Sequence, residues 1–212
     1  MLDRFDKIRE KVTAAERLTA EDGLYLFEKG DLISTGMLAH LVKERLHPEA
    51  IITYIVDRNI NYSNICVASC DFCAFYEKVG SEKGYVLSKQ QIECKIRETI
   101  DLGGTQILMQ GGLNPSLKIE FFEELFNFIH TTFPQIRIHS LSPPEVTYLA
   151  KISRLSIDET IQRLKDAGLT SIPGGGAEIL VDEVREKLNS NKSNVQDWLK
   201  VMETAHRKNM RT

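Results

Sequence analysis

The sequence predicts an α/β fold built on parallel strands, and three observations carry that prediction. Short β-rich runs alternate with longer amphipathic stretches from residue 51 onward. Those stretches open on helix-capping pairs. Glycines stand where the helices should stop. Strand, helix, strand, helix in succession calls for parallel pairing through right-handed crossovers.

The elements follow in order. Residues 4–46 read as helices, with Ile8, Val12 and Ala15 on one stripe. Leu24, Leu26 and Phe27 mark a second short helix, and Leu38, Leu41, Val42 and Leu46 a third. This N-terminal helical cap, residues 1–50, precedes the main fold over 51–212. "IITYIV" (51–56) is β-rich, and "NINYSNI" (59–65) alternates. "TQILMQ" (105–110), "IRIHSL" (136–141) and, more weakly, "LTSIP" (169–173) are further β-like runs. Capping boxes are expected at Ser88 with Gln91, Ser142 with Glu145, Ser156 with Glu159, and Ser193 with Gln196. Gly103 and Gly168 fit left-handed helix terminators. Ile92, Ile96 and Ile100 form one apolar stripe, and Phe122, Leu125, Phe126 and Ile129 another. Val195, Trp198, Leu199 and Met202 are expected to form a third.

About four strand–helix units fit after residue 60, and "MRT" at the end reads as the start of a fifth strand. A closed eight-stranded barrel needs about 250 residues. The chain is therefore either an open sheet or part of a longer barrel, and the second reading is preferred.

The 212 residues are 42% hydrophobic and 27% charged, as in globular proteins, with a net charge of −3. That balance argues against a nucleic-acid partner. No apolar run is long enough for a membrane span, and the start lacks a signal-peptide core. The cytoplasm is the expected compartment, and thiols stay reduced there.

Three of the four cysteines lie in "NICVASCDFCAFYEK" (64–78), as Cys66, Cys70 and Cys73 with C-x3-C-x2-C spacing. A structural zinc site wants four closed ligands, commonly as two pairs, and the second pair is missing. Cys94 is the spare thiol, placed on the helix face opposite the isoleucine stripe. Disulfides are disfavoured by compartment. A cubane [4Fe–4S] cluster held by three thiolates resolves the pattern, because its fourth iron stays open for a chelating ligand. Chance clustering of structural cysteines is the remaining alternative.

This loop, with Phe72 before its last cysteine, resembles the cluster loop of radical S-adenosylmethionine (radical SAM) enzymes. Further blocks extend the likeness over nearly the whole chain: "ITYIVDRNINYSN", "CAFY", "QILMQGGL", "IHSLSPPE", "RLSIDETIQRLKDAGLTSIPGGGAEIL" and "WLKVMETAH". They are similar to the cyclic dehypoxanthinyl futalosine synthases of menaquinone biosynthesis. The resemblance implies a parallel (βα) barrel of the radical SAM/TIM type, here its first four units or so, with family members continuing past residue 212. It implies a [4Fe–4S] cluster and S-adenosyl-L-methionine as cofactors, with Cys66, Cys70 and Cys73 as metal ligands. It also implies an external one-electron donor. The expected reaction is cyclisation of the nucleoside dehypoxanthine futalosine, begun when a 5′-deoxyadenosyl radical takes a ribose hydrogen. A sibling radical enzyme, aminofutalosine synthase or a deazaflavin-forming synthase, is the nearest alternative. A non-catalytic metal-binding module or an inactive remnant are the others.

The remaining candidates each carry two readings. Gln110, Gly111 and Gly112 (in "MQGGL") match the turn that meets the methionine end of S-adenosylmethionine, or form an ordinary βα turn. Many members of the superfamily carry an acidic residue after the two glycines, where this chain has Leu113. Glu178, after three glycines, is either a contact to the nucleoside ribose or a helix cap. His139 and Glu145 stand near the carboxyl end of a strand, where barrel enzymes gather catalytic groups. His139 suits proton transfer near neutral pH, or a structural role. Asn59, Asn61 and Ser63 share one strand face; Tyr62 and Tyr76 are weaker candidates.

Overall fold

The computed structural model describes residues 3–49, 51–189 and 191–212. The chain divides into two compact units, Met1–Tyr54 and Ile55–Thr212. In the first, α1 (Arg4–Thr13), α2 (Ala20–Lys29) and α3 (Leu32–Leu46) surround a small core of Ile8, Val12 and Leu38. Thr19 and Asp22 close a capping box at the start of α2, and Lys11 Nζ donates to Asp22 Oδ2 at 2.6 Å. Ala15 lies beyond α1 with φ 59°, so the expected stripe ends at Val12.

The second unit holds β1 (Asp57–Asn61), β2 (Gln106–Gln110), β3 (Arg137–Ser140) and β4 (Leu169–Ser171), all parallel and adjacent in sequence order. Its helices are α4 (Lys89–Asp101), α5 (Ile119–Thr132), α6 (Pro143–Ser153), α7 (Ile157–Asp166), α8 (Asp182–Leu188) and α9 (Val195–Arg207). The fifth strand begins as expected. Ser171 bridges Arg211 in parallel, and Ile172 N–H donates to Arg211 O at 3.1 Å.

Strand alternation divides the sheet into two faces. Ile60, Ile107, Met109 and Ile138 are at most 1% exposed and pack with Ile92, Ile96, Phe122, Phe126 and Ile129. Each such side chain contributes about 1.5–3 kcal/mol on burial. Asn59, Asn61, Gln106, Gln110 and His139 occupy the alternate positions and are less buried. That second face is largely polar.

Several expectations are corrected. Residues 51–56 form no strand, and Ile52 is 94% exposed. β2 starts at Gln106, the register partner of Asp57, so the residues before Asp57 have no strand to pair with. The last helix is capped by Asn194, whose side chain accepts from Asp197 N–H, and not by Ser193. Ser156 accepts from Glu159 N–H in only the forward half of its box. The buried face of α9 is Val201, Thr204 and Ala205, with Leu199 49% exposed. Large side chains suggested the wrong stripe; small ones make the packed face. Among the described residues no helix is long and apolar enough to cross a membrane.

Candidate functional site

β1 delivers the chain to the cysteine loop. Beyond Asn61, Tyr62 is buried with its ring edge-on to Phe122 at 5.3 Å between centroids. The loop is then pinched at its base: Glu77 N–H donates to Asn64 O at 2.8 Å, and Cys66 N–H to Glu77 O at 3.0 Å. Inside it, Cys73 N–H donates to Cys70 O at 3.0 Å, and Ser69 takes the left-handed region at φ 54°. Three half-buried free thiols result, while Cys94 lies exposed on α4.

The glycine turn after β2 presses directly on this loop. A side-chain carbon at Gly112 would come within 2.3 Å of Ile65 O and 2.6 Å of Cys66 Cβ. One at Gly111 would strike the Tyr62 ring at 2.5 Å. Contact this close lets Val67 N–H donate to Leu113 O at 3.1 Å and Leu113 N–H to Cys66 Sγ at 3.3 Å. Ala68 N–H also donates to Cys66 Sγ, at 3.4 Å. Leu113 is 6% exposed and takes part here through its backbone.

The third glycine run joins the same edge. A side-chain carbon at Gly175 would lie 2.7 Å from Gln110 Nε2, so Gln110 lies against the "GGGAE" loop. Trp198 Nε1 donates to Gly175 O at 3.1 Å. Arg185, nearly buried, donates to the carbonyls of Gly176, Ile179 and Ser193 at 2.6–2.9 Å. That clasp frames Glu178, whose Oε1 accepts from Lys192 Nζ at 2.7 Å. Burial pushes the Glu178 carboxyl up, but Lys192, its own backbone N–H and Arg185 together hold it below the ordinary value. The same Lys192 ammonium lies 5.6 Å from the centroid of the Phe72 ring. Burial pushes the Cys70 thiol up, against the pull of Lys192 and of Asn189, which donates to Cys70 Sγ.

Glu145, expected to be catalytic, sits beneath the glycine turn and is 6% exposed. Its Oε1 accepts from Tyr62 OH at 2.7 Å and Gly111 N–H at 2.9 Å. Its Oε2 accepts from Ser142 N–H at 2.8 Å and Ser142 Oγ at 2.6 Å. Burial pushes the carboxyl above its ordinary value despite these donors. Both oxygens are occupied by protein. His139 lies apart, in register with Leu108 and Ser171, and its Nδ1 pairs with Ser171 Oγ at 2.7 Å. Burial lowers its pKa while Asp57 pulls it back up. Ser63 does not line the open face: it is fully buried and accepts from Asn114 Nδ2 at 3.1 Å.

Sequence reasoning missed Asn189, Lys192 and Arg185. No spacing signal ties them to cysteines some 119 positions away. A cavity of about 340 Å³ opens beside them, between Leu113, Tyr148, Lys151 and Arg185.

The donor set fits a cluster better than a lone ion. Among the described residues, no three His, Cys, Asp or Glu side chains converge as one ion requires. A cluster takes each thiolate at its own iron, so convergence on one point is unnecessary. Three N–H groups already aim at two of the sulfurs, which is how proteins support cluster ligands. Parallel βα units with a thiol triad after the first strand define an iron–sulfur barrel protein.

Comparison with known proteins narrows this class. The chain belongs to the radical SAM superfamily, whose family model matches residues 60–212. Members of this family work with a [4Fe–4S] cluster and S-adenosylmethionine. The chain is 43% identical over 205 residues to the cyclic dehypoxanthine futalosine synthase of Halalkalibacterium halodurans, covering 97% of this chain and 55% of that protein. It is 42% identical to the enzyme of the same name from Streptomyces coelicolor, covering 94% and 51%. It is also 38% identical to a 5-amino-6-(D-ribitylamino)uracil–L-tyrosine 4-hydroxyphenyl transferase from a Cyanothece species, covering 92% and 53%. The chain thus spans about half the length of these curated relatives. In fold it matches the crystal structure of HydG, a maturase of the [FeFe]-hydrogenase, with TM-score 0.70 at 14% identity, covering 98% of this chain and 44% of that one.

Proposed function

We propose that this chain is the cluster-bearing part of a radical SAM enzyme that cyclises dehypoxanthine futalosine. The observation that carries the reading is the contact of Gly112 with Cys66, which makes the thiol loop and the glycine turn one site. The two synthases at 43% and 42% identity support the choice of substrate.

Cys66, Cys70 and Cys73 would hold the cluster. Gln110, Gly111 and Gly112 offer backbone polar groups to the methionine end of S-adenosylmethionine. Phe72 packs against the nucleoside end, and Glu178 accepts from its ribose hydroxyls, exchanging its present partner Lys192. A cluster and S-adenosylmethionine held by these residues would supply one-electron radical chemistry, given an external electron donor. Asn59, Asn61 and His139 meet the substrate on the polar face of the sheet. His139, held toward its neutral form by burial and oriented by Ser171, is placed to accept a proton. Glu145 acts by position, fixing Gly111 from below.

A second reading follows from the 38% identity to the ribitylaminouracil–tyrosine transferase. Anaerobic reconstitution, then incubation with dithionite and S-adenosylmethionine, tests both. The proposal expects 5′-deoxyadenosine and a cyclised product with dehypoxanthine futalosine. Turnover only with ribitylaminouracil and tyrosine would replace it with the second reading. Zinc in place of iron and sulfide would remove both.

A further inference from the structure

Three successive residues of the cysteine loop meet Leu188 at the end of α8 and Asn189 and Lys192 beyond it. Cys70 Sγ accepts from Asn189 Nδ2. Asp71 N–H donates to Leu188 O at 3.4 Å. The Phe72 ring lies 5.6 Å from Lys192 Nζ. Asn189 is itself fixed. Asn189 N–H donates to Arg185 O at 2.7 Å, and the Arg185 guanidinium is clasped by three carbonyls. Asn189 Oδ1 accepts from Asn191 N–H at 2.8 Å, which sets the amide so that its NH2 end points at the sulfur. Cys66 receives only backbone donors, from Ala68 and Leu113. Among the described residues, Asn189 is the one side chain that donates to a thiol of the triad.

We propose that Asn189 is a positioning residue that raises the reduction potential of a cluster bound at Cys66, Cys70 and Cys73. The proposal rests on the cluster reading above. A hydrogen bond to a ligating sulfur stabilises the more negative, reduced cluster over the oxidised one, and so makes reduction easier. An amide fixed by the backbone on one side and an Asx turn on the other costs little ordering when the cluster binds.

The test is an EPR-monitored redox titration of the 212-residue chain, reconstituted anaerobically without substrate. Wild type is compared with Asn189→Leu and Asn189→Asp, with iron and sulfide counted in each. Asn189→Asp keeps the acceptor for Asn191 N–H and removes the donor, so it preserves the turn if Asn189→Leu disturbs folding. The expected result is a midpoint shifted to lower potential in both variants at unchanged iron content, further in Asn189→Asp because it adds a negative charge. Deuterium coupling from an exchangeable proton near the cluster should also weaken in both. A wild-type midpoint in both variants overturns the proposal. So does a shift confined to Asn189→Asp, since charge alone would then account for it. A wild-type chain that forms no iron–sulfur cluster overturns the functional reading and this inference together, whereas unshifted variants overturn only the inference.

Discussion

The bare α-carbon of Gly112 lies against Cys66, and a methyl group added there would sit 2.6 Å from Cys66 Cβ. No side-chain rotation relieves that contact, because Ile65 O blocks the same space at 2.3 Å. Gly112→Ala must therefore push the turn away from the thiol loop. Overpacking of this kind costs about 1–3 kcal/mol. The Leu113 N–H bond to Cys66 Sγ should be lost as well. The expected outcome is a folded chain that binds much less iron after reconstitution, read from iron and sulfide per chain. Full iron loading in Gly112→Ala would show that loop and turn are not one site.

Three thiols are proposed as ligands and the fourth as a bystander. Cys94 is exposed on α4, and its Sγ donates to Glu98 at 3.4 Å, on an outer helix face. Alanine at Cys66, Cys70 or Cys73 should abolish the visible absorption of the cluster. Cys94→Ala should leave it as in wild type. Equal loss at Cys94 would mean that the ligand set has been misassigned.

Acid should loosen the first unit through Asp22. Lys11, then the Thr19 backbone N–H, hold the Asp22 carboxyl at about 2, against an ordinary 3.8. A depressed carboxylate stabilises the fold above its unfolded pKa, and the gain is lost as pH falls through the folded value. The window therefore runs from near 3.8 down to about 2. Hydrogen exchange over α1 to α3 in the whole chain should accelerate across that window. In Lys11→Met exchange should be faster already at neutral pH, and its further acceleration in acid smaller.

What could be read from the sequence was local. Cys66, Cys70 and Cys73 could be grouped because their spacing lies within one loop. β2 and β3 were readable because a turn signal bounds each and a partner strand lies beside each. "IITYIV" misled because β propensity records how a side chain suits a sheet, and residues 51–56 have no strand to join. The packed face of α9 was missed because Thr204 and Ala205 are small, and close helix packing favours them over Trp198 and Leu199. The Asn189 bond to Cys70 and the Lys192 bridge from Glu178 to Phe72 were invisible. They depend on the crossover that returns the chain to the edge of the sheet, which no periodicity encodes.

Glu145 stands as a catalytic candidate in the sequence, and its surroundings yield a different prediction. Tyr62 OH, Gly111 N–H, Ser142 N–H and Ser142 Oγ all converge on its two oxygens. Removing one partner from a buried hydrogen-bonded pair costs about 1–3 kcal/mol. Tyr62→Phe should lose stability in that range, and Glu145→Ala more, since it strands several donors at once. Glu145→Gln places an amide NH2 against an obligate donor, Gly111 N–H or Ser142 N–H, whichever oxygen it replaces, so it too should destabilise, unlike an exchange at a solvent-facing catalytic carboxyl. Burial holds the Glu145 carboxyl above its ordinary 4.5. The folded chain therefore keeps that proton longer than the unfolded chain does. This contribution to stability is fullest below the ordinary value and falls as pH rises through the raised one. Urea unfolding followed from pH 4 upward should show that decline in wild type and not in Glu145→Gln. If Glu145→Gln is as stable as wild type but cannot turn over substrate, the carboxyl is a chemical participant after all. If stability and S-adenosylmethionine affinity fall together, it holds Gly111 in place for the cofactor.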